Sequence, residues 1–307
     1  MEAGNTGTGR RMKVIWAGSL VATALISLLA TAYFQRSWSG DATSLSAKKK
    51  ELLAEMRLNL ARSVENEKSA VMALSDEQSR SFAEESRSSS ADVDGNLKRL
   101  ERLIAQGGSD KERELVKKFS ESWNEAHAID AGLLESAMQN TNIKAAELSN
   151  TISAELLRKI DENLAKMSAK TTQPARRPQM EKMSAEVAIA LRNISIFQNR
   201  HINAASDTDK QAIDLSMQAE ILRAGATLKN LERLGGEKSR AYVKEAVADF
   251  GEFIKVNEEI GRLSHLNTNR TTLELSLGKK RLAEAECDRA LKSLQAISAT
   301  AERSAPR

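Results

Sequence analysis

The feature that most limits what this chain can fold into is an internal duplication. Ser75-Asp76, the run NLKRLERL at 96–103, Gly107-Gly108, Phe119 and the segment NTNIKAAELS at 140–149 set down a pattern. It returns in the same order as Ser206-Asp207, TLKNLERL at 227–234, Gly235-Gly236, Phe250 and NTNRTTLELS at 267–276. The differences 207 − 76, 228 − 97 and 250 − 119 are all 131, while 267 − 140 is 127, which places a loss of four residues between the phenylalanine and the NTN segment. Four residues are about one helical turn, so helices on either side keep nearly the same face inward. A period this long is a whole small domain rather than a solenoid unit of roughly 20–50 residues.

What is duplicated is helical. The 307 residues include only 3 Pro, 15 Gly and 4% aromatics beside 29% charged residues, a composition that suits long amphipathic helices and starves a sheet. A helix over 48–74 carries Leu52, Met56, Leu60 and Val64 four apart. Ser75 and Asp76 suit the N-cap of a second, with Val93, Leu97, Leu100 and Ile104 on its seam and a polar stretch at 79–90 expected to be solvated. Gly107-Gly108 ends that helix, and Ser109 and Asp110 start a third, running to about 138, with Val116, Phe119, Trp123 and Ala126 inward. After a turn at 140–142 the fourth seam reads Ala145, Leu148, Ile152, Leu156, Ile160, Leu164 and Met167. Four antiparallel helices can bury these seams on one another. Two of the three prolines lie in TTQPARRP at 171–178, which marks a domain boundary. Helices at about 180–204, 207–234, 237–266 and 270–301 then repeat the set, with Val187, Leu191, Ile194 and Ile202, then Met217, Ile221, Ala224, Leu228 and Leu231, then Val247, Phe250 and Ile254, and last Cys287, Leu291, Leu294 and Ile297. The expectation is an all-α chain with a first four-helix bundle over 43–170, a linker at 171–178 and a second bundle over 179–303.

Ahead of the bundles, Arg10, Arg11 and Lys13 precede an uncharged apolar run at 14–34 that Arg36 closes. The run is long enough to cross a bilayer, and Trp16, Tyr33, Phe34 and Trp38 fall where interfacial aromatics sit. Residues 1–36 therefore read as a cytoplasmic start and a transmembrane anchor, with the basic cluster inside and the bulk of the chain outside the cytoplasm. A cleaved signal peptide ending at Ala30-Thr31-Ala32 is the rival reading. Gly18 and Ala22 form a small-xxx-small pair that would let two anchors approach as a homodimer.

Chemistry is harder to find. A net charge of +4 spread over 46 basic and 42 acidic residues, with little aromatic interleaving, argues against nucleic acid. The single Cys287 excludes an intramolecular disulfide, a Cys-based metal cluster and a haem attachment motif. The residues three before His127, His201 and His265 are Asn124, Gln198 and Arg262, so the Glu-x-x-His signature of bundle metal sites is missing and surface histidines are expected. No catalytic grouping, cofactor site or metal set emerges, and an enzyme is not expected. Trp123, matched at the 131 offset by Ile254, is either core or the wall of a pocket that the second bundle lacks. Arg57, Arg62 and Arg192 are either a solvated face or contacts for an anionic ligand.

The anchor running into a long first helix, the Phe119 and Trp123 pair, and the segment LLESAMQNTNIKAAELSNTISAELL at 133–157 together resemble the extracytoplasmic four-helix-bundle sensor modules of methyl-accepting chemotaxis proteins. That resemblance implies a periplasmic, often dimeric bundle on the inner membrane that binds a small molecule or a binding protein and passes a helix shift through the membrane. It transfers no ligand-binding residue. Family members continue into a second span, a HAMP linker and a signalling hairpin, none of which follows in this sequence, so a partner membrane signalling protein is expected to supply the output. The competing expectation is a structural or protein-interaction scaffold of the cell envelope.

Overall fold

The computed structural model describes residues 45–303, which are almost entirely helical and contain no strand. The elements are α1 (Leu45–Met72), α2 (Asp76–Gly107), α3 (Asp110–Ala137), α4 (Thr141–Leu148), α5 (Ala154–Ala169), α6 (Arg177–Asn203), α7 (Asp207–Leu234), α8 (Glu237–Leu266), α9 (Thr268–Leu275) and α10 (Arg281–Arg303). A single π turn at Ser149–Ser153 joins α4 to α5, while at the matching Ser276–Lys280 the chain kinks between α9 and α10, with Gly278 outside the helical region (φ −94°, ψ −112°). The expected anchor at 1–36 lies outside the described residues. Among those described, no helix is long and apolar enough to cross a membrane.

The stops read from the sequence are made by side chains. Ser75 Oγ accepts from Gln78 N at 3.2 Å and Ser206 Oγ from Asp209 N at 3.1 Å, and Ser109 and Glu112 form a reciprocal capping box at the start of α3. Each such cap is worth roughly 1 kcal/mol. The four-residue difference between the repeats lies at one of these stops. α2 has 32 residues and α7 has 28, whereas α3 and α8 begin 127 apart, at Asp110 and Glu237, and end in turns whose Asn140 and Asn267 are also 127 apart. The last turn of α2 is thus what α7 lacks, and the gap is not beyond the phenylalanine. The counterpart of Trp123 is Phe250 (250 − 123 = 127), not Ile254, and Phe119 corresponds to Ala246.

The tandem arrangement expected for residues 43–170 and 179–303 is replaced by an exchange. One core joins Leu53, Met56 and Leu60 of α1, Val93, Leu97 and Leu100 of α2, Phe119 and Trp123 of α3, and Cys287, Leu291 and Leu294 of α10. The other joins Leu156, Ile160, Leu164 and Met167 of α5 to Met180, Leu191 and Ile194 of α6, Met217, Leu228 and Leu231 of α7, and Val243, Phe250 and Phe253 of α8. Each four-helix core takes its fourth helix from the other repeat. The stretch at 171–178 is therefore the hairpin between α5 and α6 inside the second core, with Pro178 in the first turn of α6, and not a linker between bundles.

The exchange follows from how α3 and α8 end. Neither doubles back. Asn140 (φ 47°) and Asn267 (φ 50°) each take one left-handed step and the chain runs on as α4 and α9. Asparagine tolerates this conformation better than most residues. Two long rods result, 110–169 and 237–303, lying antiparallel: Cys287 Sγ faces Phe119 O, Thr141 meets Thr268, and Asn163 Nδ2 donates to Asp249 Oδ2. A pseudo-twofold axis passes between the threonines. Thr141 N donates to Thr268 Oγ1 at 3.2 Å and Thr268 N to Thr141 Oγ1 at 3.0 Å, so each hydroxyl caps the opposite helix. Asn142 Nδ2 donates to Asn267 Oδ1 at 2.9 Å and Asn269 Nδ2 to Asn140 Oδ1 at 3.1 Å. A hairpin at Asn140 would leave these N-terminal amides without partners.

The π turn at 149–153 and the kink at 276–280, 127 residues apart, change which side chains face inward. The extra residue of the π turn rotates the helix, so Ser149 and Ser153 are buried and Ile152, expected on the seam, is 48% exposed. The serine-rich part of α2 also differs from expectation: Ser79, Ser86, Ser89 and Ser90 are buried, because serines let α1 approach closely. Ser63 Oγ lies 2.7 Å from Ser90 Oγ, Ser86 Oγ donates to Ser63 O, and Ser79 Oγ donates to Ala70 O.

Candidate functional site

A dense polar grouping among the described residues sits at the kink between α9 and α10. Lys280, 1% exposed, extends its ammonium to Glu67 Oε2 of α1 at 2.6 Å, Asp130 Oδ1 of α3 at 2.5 Å and Glu284 Oε1 of α10 at 3.2 Å. All four side chains are buried, and one cation faces three carboxylates. Burial pushes the Asp130 and Glu284 carboxyls above the usual carboxylate range, and Lys280 pulls them only part of the way back. Burial would lower Lys280, but the surrounding acids outweigh it and hold the ammonium charged. Glu67 Oε1 has no hydrogen-bond partner. The layer is short of positive charge, in a place where an unpaired charge is expensive.

The duplication supplies an internal control. At the corresponding positions of the other bundle stand Gln198 (198 − 67 = 131), Asn257 (257 − 130 = 127), Ser153 (280 − 153 = 127) and Leu157 (284 − 157 = 127). These form a neutral layer: Gln198 Nε2 donates to Asn257 Oδ1 at 2.9 Å, and Ser149 and Ser153 donate to Gln198 Oε1 at 2.8 and 3.3 Å. One scaffold position carries a satisfied amide network in one bundle and a charged, frustrated cluster in the other.

A second grouping lies at the inner end of the second bundle. His201 on α6 is buried, in contrast to the surface position expected, and its ring meets that of His265 on α8 at 4.7 Å, edge to face. Both Nε2 atoms face Asp214 of α7, from His201 to Oδ1 at 3.2 Å and from His265 to Oδ2 at 3.0 Å. Burial lowers the His201 pKa, with Asp214 pulling it partly back up. Buried Lys210 donates to Ser264 O beside them, and burial likewise lowers its pKa. His127 is exposed, as expected.

The other residues singled out in the sequence are not brought together. Trp123 is core, 3% exposed, stacked on Phe119 with Nε1 donating to Asp94 Oδ1 at 2.6 Å. Arg57 is engaged by Asp288 Oδ1 and Gln295 Oε1, Arg192 by Asp161 Oδ2, and Arg62 is exposed. Sequence reasoning missed both polar groupings because their members come from three helices each. The signal that could have found the first was Lys280 and Glu284 standing against Ser153 and Leu157 across an otherwise apolar seam. No known protein family, no curated protein and no solved structure matches this chain.

Proposed function

We propose that this protein is a membrane-anchored, extracytoplasmic sensory element, akin to the sensor modules of methyl-accepting chemotaxis proteins. It binds a small ligand in its helical core and hands the resulting helix displacement to a separate membrane signalling protein. The observation that carries the reading is the frustrated layer around Lys280, placed on a rod that runs through both bundles. A buried cluster with one cation for three carboxylates is a bistable element, whose preferred packing changes when a ligand alters its charge balance. Because α9 and α10 continue α8 beyond Asn267, a shift at Lys280 is felt at the junction and in the second core.

Thermal unfolding of the purified chain against a panel of small organic acids, amines and amino acids tests the reading. At least one compound should raise the melting temperature, and by less when the layer is neutralised through Glu67→Gln with Asp130→Asn, Lys280→Ser and Glu284→Leu. A panel with no effect on either protein rejects ligand sensing. The topology is tested separately by a reporter enzyme fused after residue 303, active only when outside the cytoplasm.

A scaffold role is the second reading, and one observation favours it. Ile189 and Ile196 on α6, and Leu215 and Leu222 on α7, are 52–70% exposed, each pair at a seven-residue spacing that suits a partner helix. Light scattering that finds a stable homodimer, lost in Leu215→Glu with Leu222→Glu, supports it.

A further inference from the structure

We propose that His201, His265 and Asp214 form a binding site for a divalent transition-metal ion of the zinc class, independent of the ligand reading above. The argument rests on one proton. Ser264 Oγ donates to the backbone oxygen of His201 at 3.0 Å, which uses its only hydrogen. The contact of 2.8 Å between Ser264 Oγ and His201 Nδ1 must then be a hydrogen bond donated by the ring. Nδ1 keeps its proton in the neutral imidazole, and Nε2 presents a bare lone pair.

That lone pair is buried, has no hydrogen-bond partner and faces a carboxylate oxygen at 3.2 Å. A buried acceptor held against the oxygen of a half-exposed carboxylate is repelled by it and shielded from water, and a cation between them removes the conflict. The spacing suits one. Ligand bonds of about 2.0–2.1 Å in tetrahedral array put neighbouring ligand atoms about 3.3 Å apart. The observed separations, 3.2 Å from His201 to Asp214 Oδ1 and 3.0 Å from His265 to Oδ2, are within a few tenths of this, one carboxylate oxygen facing each ring. One ligand atom from each residue lies within 4.8 Å of the other two, a spread that rotation of the half-exposed Asp214 and His265 side chains closes around an ion.

The Ser264 hydroxyl bonded to Nδ1 is the outer partner that metal-bound histidines ordinarily have, fixing tautomer and ring orientation. Three protein ligands leave a fourth position, and with the side chains of Asp214 and His265 41% and 44% exposed it opens to solvent. Imidazole and carboxylate donors without thiolate favour zinc, cobalt, nickel or copper over magnesium or calcium. The nearby Lys210 ammonium opposes a cation, so the site is suited to reversible binding rather than to a permanent structural ion.

The full chain, purified without a polyhistidine tag and stripped with chelator, should take up one equivalent of Co2+ and show the visible absorption of a tetrahedral site, displaced by Zn2+ and not by Mg2+. Since His265 and Asp214 are partly exposed, His265→Ala and Asp214→Asn should fold and weaken binding by at least about 100-fold. A melting curve on each variant separates lost folding from lost binding. If Co2+ gives no such spectrum, or if folded His265→Ala binds as tightly as the parent, the site is a histidine–aspartate hydrogen-bonded group and the proposal is overturned.

Discussion

Replacing Lys280 with methionine removes the only cation from a layer whose three acids remain. At an effective dielectric near 20, contacts of about 2.5–3.2 Å amount to roughly 5–7 kcal/mol of attraction each before solvation is counted. Desolvation of several kcal/mol per ion and repulsion among the acids cancel much of this, and breaking a buried pair costs about 3–5 kcal/mol net. Asp130 and Glu284 start above the usual carboxylate range and can relieve part of the loss by taking up protons, so the cost should be greatest at alkaline pH. For a chain of this size the melting temperature should fall by roughly 6–20 °C. Installing the other bundle's residues, with Glu67→Gln, Asp130→Asn, Lys280→Ser and Glu284→Leu together, should give stability within about 1 kcal/mol of the parent or above it, because a satisfied neutral layer often equals a buried ionic one. Urea unfolding followed by circular dichroism measures both, with unchanged slopes marking intact two-state behaviour. A single variant losing less than about 1 kcal/mol, or a fourfold variant as unstable as the single one, would refute the account of the layer as a coupled, buried cluster.

Stability should also depend on pH in a direction set by the same acids. A carboxyl whose folded pKa is raised stabilises most below its unfolded pKa and loses that contribution as pH rises through the folded value, so between mildly acidic and alkaline pH the parent should weaken while Asp130→Asn with Glu284→Gln weakens less. Melting temperatures across that range check it. Exchange of the fourth helices has its own test in Cys287, whose buried thiol is pushed up to about 12 and should resist thiol reagents in the intact chain. In a fragment of residues 179–303 that thiol should react at the rate of a free cysteine, since the α1, α2 and α3 side chains covering it are gone; protection there would restore the tandem arrangement. At the junction, Asn140→Ala should cost roughly 1–2 kcal/mol more than Asn140→Gly in chemical unfolding, because both lose the side-chain bonds and only alanine strains the positive φ.

Helix type and most boundaries were legible in the sequence because they depend on local signals; the break within each expected fourth helix was not. Ser75, Ser109 and Ser206 act as caps where their spacing placed them, and the seams of α2 and α7 recur at the expected offset. What periodicity cannot carry is partner choice. The seam of α10 fits either core, and the choice is made by one backbone step at Asn267, where NTN resembles an ordinary turn. The π turn at 149–153 was hidden for a similar reason: a seam read at constant pitch puts Ile152 inside, and only the extra residue brings Ser149 and Ser153 inward. The histidine grouping carries no single-helix signature of the Glu-x-x-His kind, because His201, Asp214 and His265 come from three helices.

The exchange changes what duplication can do for such a protein. In a tandem pair each copy would be an independent folding unit, and a charged cluster in one could shift without consequence for the other. With fourth helices exchanged, the two copies share both long rods, and the reciprocal threonine bonds at 141 and 268 lock the rods to each other midway. Under the sensing role proposed above, a displacement of α10 against α1 reaches those bonds through the kink at Gly278, which is where the rod can absorb or transmit it. Packed cores resist continuous deformation. On the sensing role proposed above, the neutral, fully bonded Gln198 layer is the stiff end and the charged layer the one that responds, a division of labour that gives the two copies of one scaffold position a reason to differ.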